Sequence, residues 1–148
     1  MGMGEAIGLY FKNYVNFQGR SRRAEYWWPV LMNLIIGWGL SGLAIAVGGG
    51  LDAYMAMDFN ALGWVFYGAA ALWSLATILP GLSVTIRRLH DREMSGWWLL
   101  GFIVGMLIPL VNLGVIIAYI VIMALPGTVG PNRFGPDPKG GHDVDVFS

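Results

Sequence analysis

The stretch TIRRLHDREMSGWW, residues Thr85–Trp98, concentrates charge between two long apolar runs. It contains three arginines, one histidine, one aspartate and one glutamate. By contrast, positions 26–51, 59–86 and 94–132 carry no Asp, Glu, Lys or Arg. Each of these runs exceeds the roughly 20 residues that an α-helix needs to cross about 30 Å of hydrocarbon. The pattern predicts membrane helices joined by short polar segments.

The composition supports an integral membrane protein. The 148-residue chain is 56% hydrophobic and only 12% charged, and its mean hydropathy is +0.60. Such values are not typical of a soluble domain of this size. Because the formal net charge is zero, no global basic field is present to hold nucleic acid, which is therefore not an expected partner. The absence of cysteine excludes disulfides and thiolate metal sites.

The apolar runs place two full transmembrane helices at residues 25–47 and 60–86. A third run, residues 97–125, would extend about 43 Å as one helix, which is longer than the hydrocarbon core. Pro109 disfavours a continuous helix, and Asn112 tolerates a left-handed turn or caps a following helix. The run is therefore predicted to form a short helical hairpin, with one long, kinked third span as the alternative.

The predicted fold is an all-α integral membrane protein that forms a single membrane domain over residues 1–148. It is a small helical bundle of two full spans plus the hairpin. Before the first span, apolar residues at helical spacing predict a short helix lying in the membrane interface. The remaining predicted segments are this N-terminal interfacial helix at residues 5–16, the hairpin helices at 97–108 and 112–125, and a polar tail at 126–148.

Basic residues flank the two spans at one end only. Four precede the first span and three follow the second, whereas the connection between the spans carries no Lys or Arg. The positive-inside rule places both basic segments in the cytoplasm, and with them the N-terminus of a multi-pass protein. A hairpin returns the polar tail to the cytoplasm, whereas a single third span places it outside.

Four motifs occur along the chain in a fixed order. They are FQGRSRRAEYW at residues 17–27, RRLHD at 87–91, SGWW at 95–98 and PGTVGPNRFGPDP at 126–138. Together they resemble the domain of unknown function 805 (DUF805) family, the YhaH-like bacterial inner-membrane proteins, over nearly the whole chain. The resemblance implies a small multi-pass protein of the bacterial inner (plasma) membrane. The family's name states that its biochemical activity is not established.

The same motifs carry the candidate binding residues. Because the spans lack charge, polar motifs must collect at their ends, where low dielectric makes an unpaired charge costly. We therefore expect Glu25 or Asp137 to neutralise Arg87 or Arg88. The candidate interfacial polar cluster, for binding lipid or a partner, consists of Arg20, Arg23, Glu25, Arg87, Arg88, His90, Asp91, Asn132, Arg133 and Asp137.

These residues do not form a catalytic or metal-binding pattern. His90 and Asp91 are neighbours in sequence, and adjacent side chains on a helix do not face each other, so a catalytic dyad is not expected. A metal site needs several ligands, yet the chain has only the histidines His90 and His142. No catalytic residue, cofactor or metal ligand is predicted.

The favoured function is that of a non-enzymatic membrane protein whose basic cytoplasmic face binds anionic lipid or a partner protein. Each arginine near an anionic membrane surface contributes about 1 kcal/mol to such binding. Membrane lipids are the expected partners, and a homo-oligomer is left open. One alternative is a membrane-embedded enzyme acting on a lipid phosphate, with His90 or Asp91 as acid or base. The other is a small transporter or channel, which the lack of acids and bases in the spans disfavours.

Overall fold

A computed structural model describes residues 1–139, which contain six α-helices and no β-strand. The helices are α1 (Met3–Lys12), α2 (Arg23–Gly48), α3 (Gly50–Ala56), α4 (Ala61–Asp91), α5 (Trp98–Leu107) and α6 (Asn112–Ala124). Helices α2 and α4, of 26 and 31 residues, are long and apolar enough to cross a membrane by length and composition. The predicted all-α membrane fold with two long spans is confirmed.

The chain divides into two compact units. Unit 1 comprises Met1–Pro29 together with the chain from Leu79 onward, and unit 2 comprises Val30–Ile78. Unit 1 therefore holds α1, the beginning of α2, the end of α4, α5, α6 and the described part of the tail. Unit 2 holds the rest of α2 and α4 with α3 between them. The prediction of a single membrane domain stays a prediction.

Unit 2 is a helical hairpin whose two long arms approach closely at two glycines. A Cβ atom on Gly63 would stand only 2.5 Å from the Cα atom of Gly48, so both positions require a residue without a side chain. Asn60 begins α4 as its N-cap, because its Oδ1 accepts a hydrogen bond from the amide of Gly63 at 2.9 Å. Its Nδ2 donates to the Val47 carbonyl at 2.8 Å, which joins the two arms.

Unit 1 contains the second hairpin, formed by α5 and α6. The rings of Phe102 and Tyr119 lie 5.5 Å apart, and a Cβ atom on Gly105 would stand 2.9 Å from a methyl group of Val115. From the first pair to the second the residue number rises in α5 and falls in α6, so the two helices are antiparallel. This confirms the predicted hairpin over a single third span.

The turn between these two helices differs from its prediction. Leu110, with φ of 72°, adopts the left-handed conformation, whereas Asn112 is the first residue of α6. The side chain of Asn112 accepts a hydrogen bond from its neighbour Leu113 at 2.8 Å and caps no later amide. The expectation that Asn112 forms the turn or the cap is therefore wrong.

The first helix and the end of α4 also differ from their predicted bounds. Helix α1 ends at Lys12 rather than at residue 16, and it packs on α4 through the buried Tyr10. The hydroxyl of Ser83 in α4 donates to the Asn13 carbonyl at 2.7 Å, just after α1. Helix α4 continues to Asp91, five residues beyond its predicted end, so the RRLHD motif is helical.

Candidate functional site

The charged motifs meet inside unit 1, where their side chains are buried. Arg20, Arg87 and Arg88 expose only 8%, 3% and 0% of their surface, and Glu25 and Asp91 expose 5% and 3%. We call these five residues the arginine cluster. Buried charges are costly unless they are paired and hydrogen-bonded, so the partners of each group decide whether the cluster is stable.

Asp91 is the acid that joins the segments of the cluster. One of its carboxylate oxygens accepts a hydrogen bond from Arg20 Nε at 3.0 Å, and the other accepts one from Arg88, one turn earlier on α4. The Asp91 carbonyl also accepts a hydrogen bond from the Thr128 amide at 2.7 Å. A single residue therefore links α4 to the N-terminal motif and to the tail.

Glu25 pairs with the third arginine. Its Oε1 accepts a hydrogen bond from Arg87 Nη1 at 2.6 Å, as expected for one of the two candidate acids. Glu25 also lies in the first turn of α2, where a negative charge is favoured by the helix dipole. Asp137, the other candidate, accepts hydrogen bonds instead from the amides of Gly130 and Lys139, both at 2.8 Å. The pairing of Asp137 with Arg87 or Arg88 is absent.

Arginines from other helices cap the carboxyl end of α6. The last carbonyls of a helix have no partner within it, and α6 has no basic residue in its own last turn. Arg88 Nε donates to the Met123 carbonyl at 3.0 Å, and Arg88 Nη2 donates to that of Leu125. Arg23 reaches the Ala124 carbonyl at 3.4 Å. The last turn of α6 is thus satisfied by guanidinium groups from α2 and α4.

The tail motif after α6 is held by the same kind of contact. Arg20 donates to the Gly130 carbonyl at 2.6 Å and to that of Thr128. Asn132 Nδ2 donates to the His90 carbonyl at 2.9 Å, and Arg133 donates to the Glu93 carbonyl at 3.2 Å. Because these tail residues form no helix, the polar side chains supply the donors that a helix would supply internally.

The ring of His90 contacts the N-terminal motif and the tail. Its Nδ1 lies 2.9 Å from the Gly19 carbonyl, and its ring stacks on Phe134 with centroids 4.0 Å apart and an interplanar angle of 4°. The Arg133 guanidinium lies 4.6 Å from the centroid of the same phenyl ring. The hydrogen bonds of His90 and Asp91 thus lead to different partners. This arrangement suits the anchoring of backbone segments better than acid–base chemistry.

All ten candidate residues lie in unit 1, but the predicted cluster omits four other residues there. The Ser21 carbonyl accepts a hydrogen bond from Arg88, Arg92 donates to the Pro126 carbonyl just after α6, and Phe134 stacks on His90. Gly127 packs so closely on Asp91 that a Cβ atom there would stand 1.8 Å from the carboxylate. The glycine in the PGTVG segment was a usable signal, because an invading side chain would displace the carboxylate.

Two ionisable groups of the tail have perturbed pKa values. Desolvation, followed by the charges of Arg23 and Arg22, lowers the pKa of Lys139. For Asp137, partial desolvation acts to raise the pKa, but hydrogen bonds from the Lys139 and Gly130 amides outweigh it and the pKa is lowered. The tail therefore lies in a region where positive charge prevails.

Within residues 1–139, no group of three or more His, Asp or Glu side chains is placed to hold a metal ion. His142, the second histidine of the chain, lies outside the described residues.

These features place the chain in the class of all-α membrane proteins, with a buried arginine cluster and a helical hairpin after the two long helices. The chain belongs to the family described as "Protein of unknown function (DUF805)", whose profile matches residues 14–136. It is 40% identical to the inner membrane protein YhaH of Escherichia coli K12 over 132 residues, which cover 86% of this chain and 91% of the relative. It is 41% identical to the inner membrane protein YhaI of the same strain over 130 residues, covering 88% and 92%. No solved structure matches the chain.

Proposed function

We propose that this chain is a multi-pass protein of the bacterial inner membrane that binds anionic lipid head groups through the basic surface of unit 1, without catalysing a reaction. The N-terminus and the tail lie in the cytoplasm in this proposal. The names of both relatives, the two long apolar helices and the α5–α6 hairpin support the membrane part. The distribution of charge supports the lipid part.

The observation that carries the lipid proposal is the charge left over outside the arginine cluster. All nine basic residues of the chain lie in unit 1, and unit 2 contains only the acids Asp52 and Asp58. Among the described residues of unit 1, the acids that are not buried are Glu5, Glu93 and Asp137. The basic residues that are not buried are Lys12, Arg22, Arg23, Arg92, Arg133 and Lys139. Six cations against three acids make this surface attractive to anionic head groups.

The contacts within unit 1 support one orientation for its segments. The N-terminal motif, the end of α4 and the tail bond to one another through Arg20, Asp91 and Thr128. Segments in such contact lie on one side of a membrane. The positive-inside rule assigns that side to the cytoplasm, because the basic residues are concentrated there.

Lipid binding is tested by reconstitution into nanodiscs that contain phosphatidylglycerol and phosphatidylcholine, followed by native mass spectrometry of the lipids retained. Wild type should retain phosphatidylglycerol in preference. The double variant Arg92→Gln with Arg133→Gln should reduce that preference by about fivefold per charge, given about 1 kcal/mol for each basic residue near the surface. The matched control, Asp52→Asn with Asp58→Asn in unit 2, should leave the preference unchanged.

An unchanged preference in the arginine variant would show that these cations only orient the chain. Retention of a protein in place of lipid would favour the partner alternative. Thermal unfolding of both double variants in the same detergent controls for loss of fold, because Arg92 and Arg133 each donate to a backbone carbonyl.

Orientation is tested by labelling single cysteines, since the chain has none of its own. Val15, Met55 and Val129 are suitable positions because they expose 65%, 76% and 83% of their surface. An impermeant thiol reagent should label Met55→Cys in intact cells. It should label Val15→Cys and Val129→Cys only after the inner face is opened. Labelling of Val129→Cys in intact cells would contradict the cytoplasmic tail.

A further inference from the structure

The three buried arginines of the cluster differ in how fully their donors are used. In Arg20, Nε bonds to Asp91, Nη1 to Gly130 and Nη2 to Thr128. Arg88 likewise uses all three nitrogens, on the carbonyls of Met123, Ser21 and Leu125 and on Asp91. In Arg87, Nη1 is the one nitrogen with a partner among residues 1–139, and it donates to Glu25. Two of the arginines thus use all three nitrogens, and the third uses one.

The unused donors of Arg87 lie on one edge of its guanidinium. Its Nε and Nη2 atoms are buried and find no acceptor among the described residues. These two nitrogens project parallel N–H bonds, the geometry that matches two oxygens of a carboxylate or phosphate. Buried donors without acceptors are rare in folded proteins, and a bound ion or water is one explanation for them.

Charge in the cluster points to the same missing group. Three arginines face two carboxylates, because Asp91 is shared by Arg20 and Arg88 while Glu25 serves Arg87 alone. One positive charge is therefore uncompensated. Ser21, whose amide donates to the Arg87 carbonyl at 3.0 Å, adds a buried hydroxyl without a partner among the described residues. An anion with at least two oxygens would satisfy both the geometry and the charge.

We propose that the Nε–Nη2 edge of Arg87 binds one phosphate-type oxyanion, either the phosphodiester of a membrane lipid or inorganic phosphate. The inference rests on the proposed function, because the basic surface of unit 1 is what concentrates such anions near the edge. The edge is shielded from solvent, so the anion enters when neighbouring side chains shift. It is then held in low dielectric, where a charge-assisted hydrogen bond is strong.

The two sources are separated by titrating the full-length protein in two settings. Inorganic phosphate is added to protein in a phosphate-free detergent solution, and nanodiscs with or without phosphatidylglycerol are prepared in phosphate-free buffer. Native mass spectrometry counts the bound species. Wild type should hold one phosphate per chain, or one lipid per chain beyond those that the basic surface retains. Binding in the first setting alone identifies inorganic phosphate as the ligand, and binding in the second alone identifies the lipid.

Arg87→Lys is the decisive variant, because lysine keeps the positive charge beside Glu25 but lacks the two-pronged edge. It should weaken this binding on the order of tenfold or more, as for the loss of a hydrogen bond to a charged group. Asp52→Glu is the control, because it keeps the charge of an exposed residue in unit 2, outside the cluster and the basic surface, and it should bind as wild type. Equal binding by the two variants would overturn the proposal.

A measurement on wild type guards against misfolding of the Arg87 variant. The Nε–H resonance of Arg87 should shift when the anion is added, while that of Arg20, already bonded to Asp91, should stay in place. An unmoved Arg87 resonance would likewise overturn the proposal. The two proposals are distinguished by the Arg92→Gln with Arg133→Gln variant. It should lose the general preference for phosphatidylglycerol and keep the single anion bound at Arg87. An unchanged lipid preference in that variant would contradict the surface proposal alone.

Discussion

The two units hold their helices together by different means. In unit 2, Gly48 and Gly63 bring two backbones into contact, and Asn60 caps the second helix. In unit 1, buried arginines reach carbonyls and carboxylates far away in sequence, such as Arg88 on Met123. Regular helices satisfy their own backbone and need only close packing, whereas the irregular tail and the end of α6 need donors from elsewhere. The comparison explains why the buried arginines lie in one unit.

The contrast predicts that losing a charge in unit 1 has the largest effect on stability. Asp91→Asn should lower the free energy of unfolding by about 3–5 kcal/mol, because it leaves two buried arginines without their counter-ion. Thermal or denaturant unfolding in a mild detergent measures the loss. Glu93→Gln, at an exposed acid two residues away, should change it by less than about 0.5 kcal/mol. Similar losses in both variants would mean that the cluster is solvated.

Steric crowding of the same carboxylate should have the next largest effect. Gly127→Ala would place a methyl group 1.8 Å from Asp91, and the displaced tail should cost about 1–3 kcal/mol in the same assay. Gly101→Ala in α5 is the control, since nothing lies within 4 Å of its added methyl group. That variant should be neutral or slightly stabilising, because alanine favours a helix. An unchanged free energy of unfolding for Gly127→Ala would show that the tail does not pack against Asp91.

The Glu25–Arg87 pair can be tested by exchanging its charges. Glu25→Arg and Arg87→Glu should each destabilise, and the double variant should recover part of the loss through a coupling energy of about 0.5–3 kcal/mol. The three unfolding free energies together with wild type give the coupling directly. Strictly additive losses would show that the two side chains do not interact in the folded protein.

In unit 2, removing the cap should cost less. Asn60→Ala should lower the free energy of unfolding by about 1 kcal/mol, as expected for an N-cap that bonds an amide near the helix start. Asn112→Ala offers a matched control, because Asn112 begins α6 without capping it. A larger effect at Asn112 than at Asn60 would reverse the assignment of the two caps.

The smallest expected effect concerns pH and the tail. The pKa of Asp137 is lowered in the folded protein, so its ionised form adds stability at pH values above the ordinary carboxyl range of about 4. That contribution is lost as the pH falls through the lowered value. The difference in melting temperature between wild type and Asp137→Asn should therefore be constant near neutral pH and shrink in acid. A difference that grows in acid would have the wrong sign.

The long helices and the hairpin could be predicted because hydrophobic run length and Pro109 carry the information locally. The end of α4 could not. Charged residues at 87–91 interrupt the apolar pattern, yet the helix continues because its arginines find buried partners. It ends with Glu93 in the left-handed conformation, where glycine would have given a signal. Leu110, in the turn after α5, also adopts the left-handed conformation without being a glycine, so the sequence did not predict it.

The gathering of polar motifs could also be predicted, but the choice of partners could not. Glu25 meets Arg87 as expected, whereas the described partners of Asp137 are amides of the tail and Asp91 takes the central position. The spacing of Arg88 and Asp91, three residues apart on one helix, was the available signal. Backbone carbonyls at the end of α6 and in the tail also accept from the arginines, and this choice depends on tertiary packing, which local sequence patterns do not encode.

The capping of α6 by arginines also has a consequence for how the protein is made. Arg20, Arg23 and Arg88 leave the ribosome well before the carbonyls of residues 123–130 that they bind. Until those residues are synthesised, the guanidinium groups lack these carbonyl acceptors and cannot be buried without cost. Residues 123–130 therefore complete the assembly of unit 1. A nascent chain arrested before residue 123 would leave the guanidinium groups of Arg20, Arg23 and Arg88 without these acceptors.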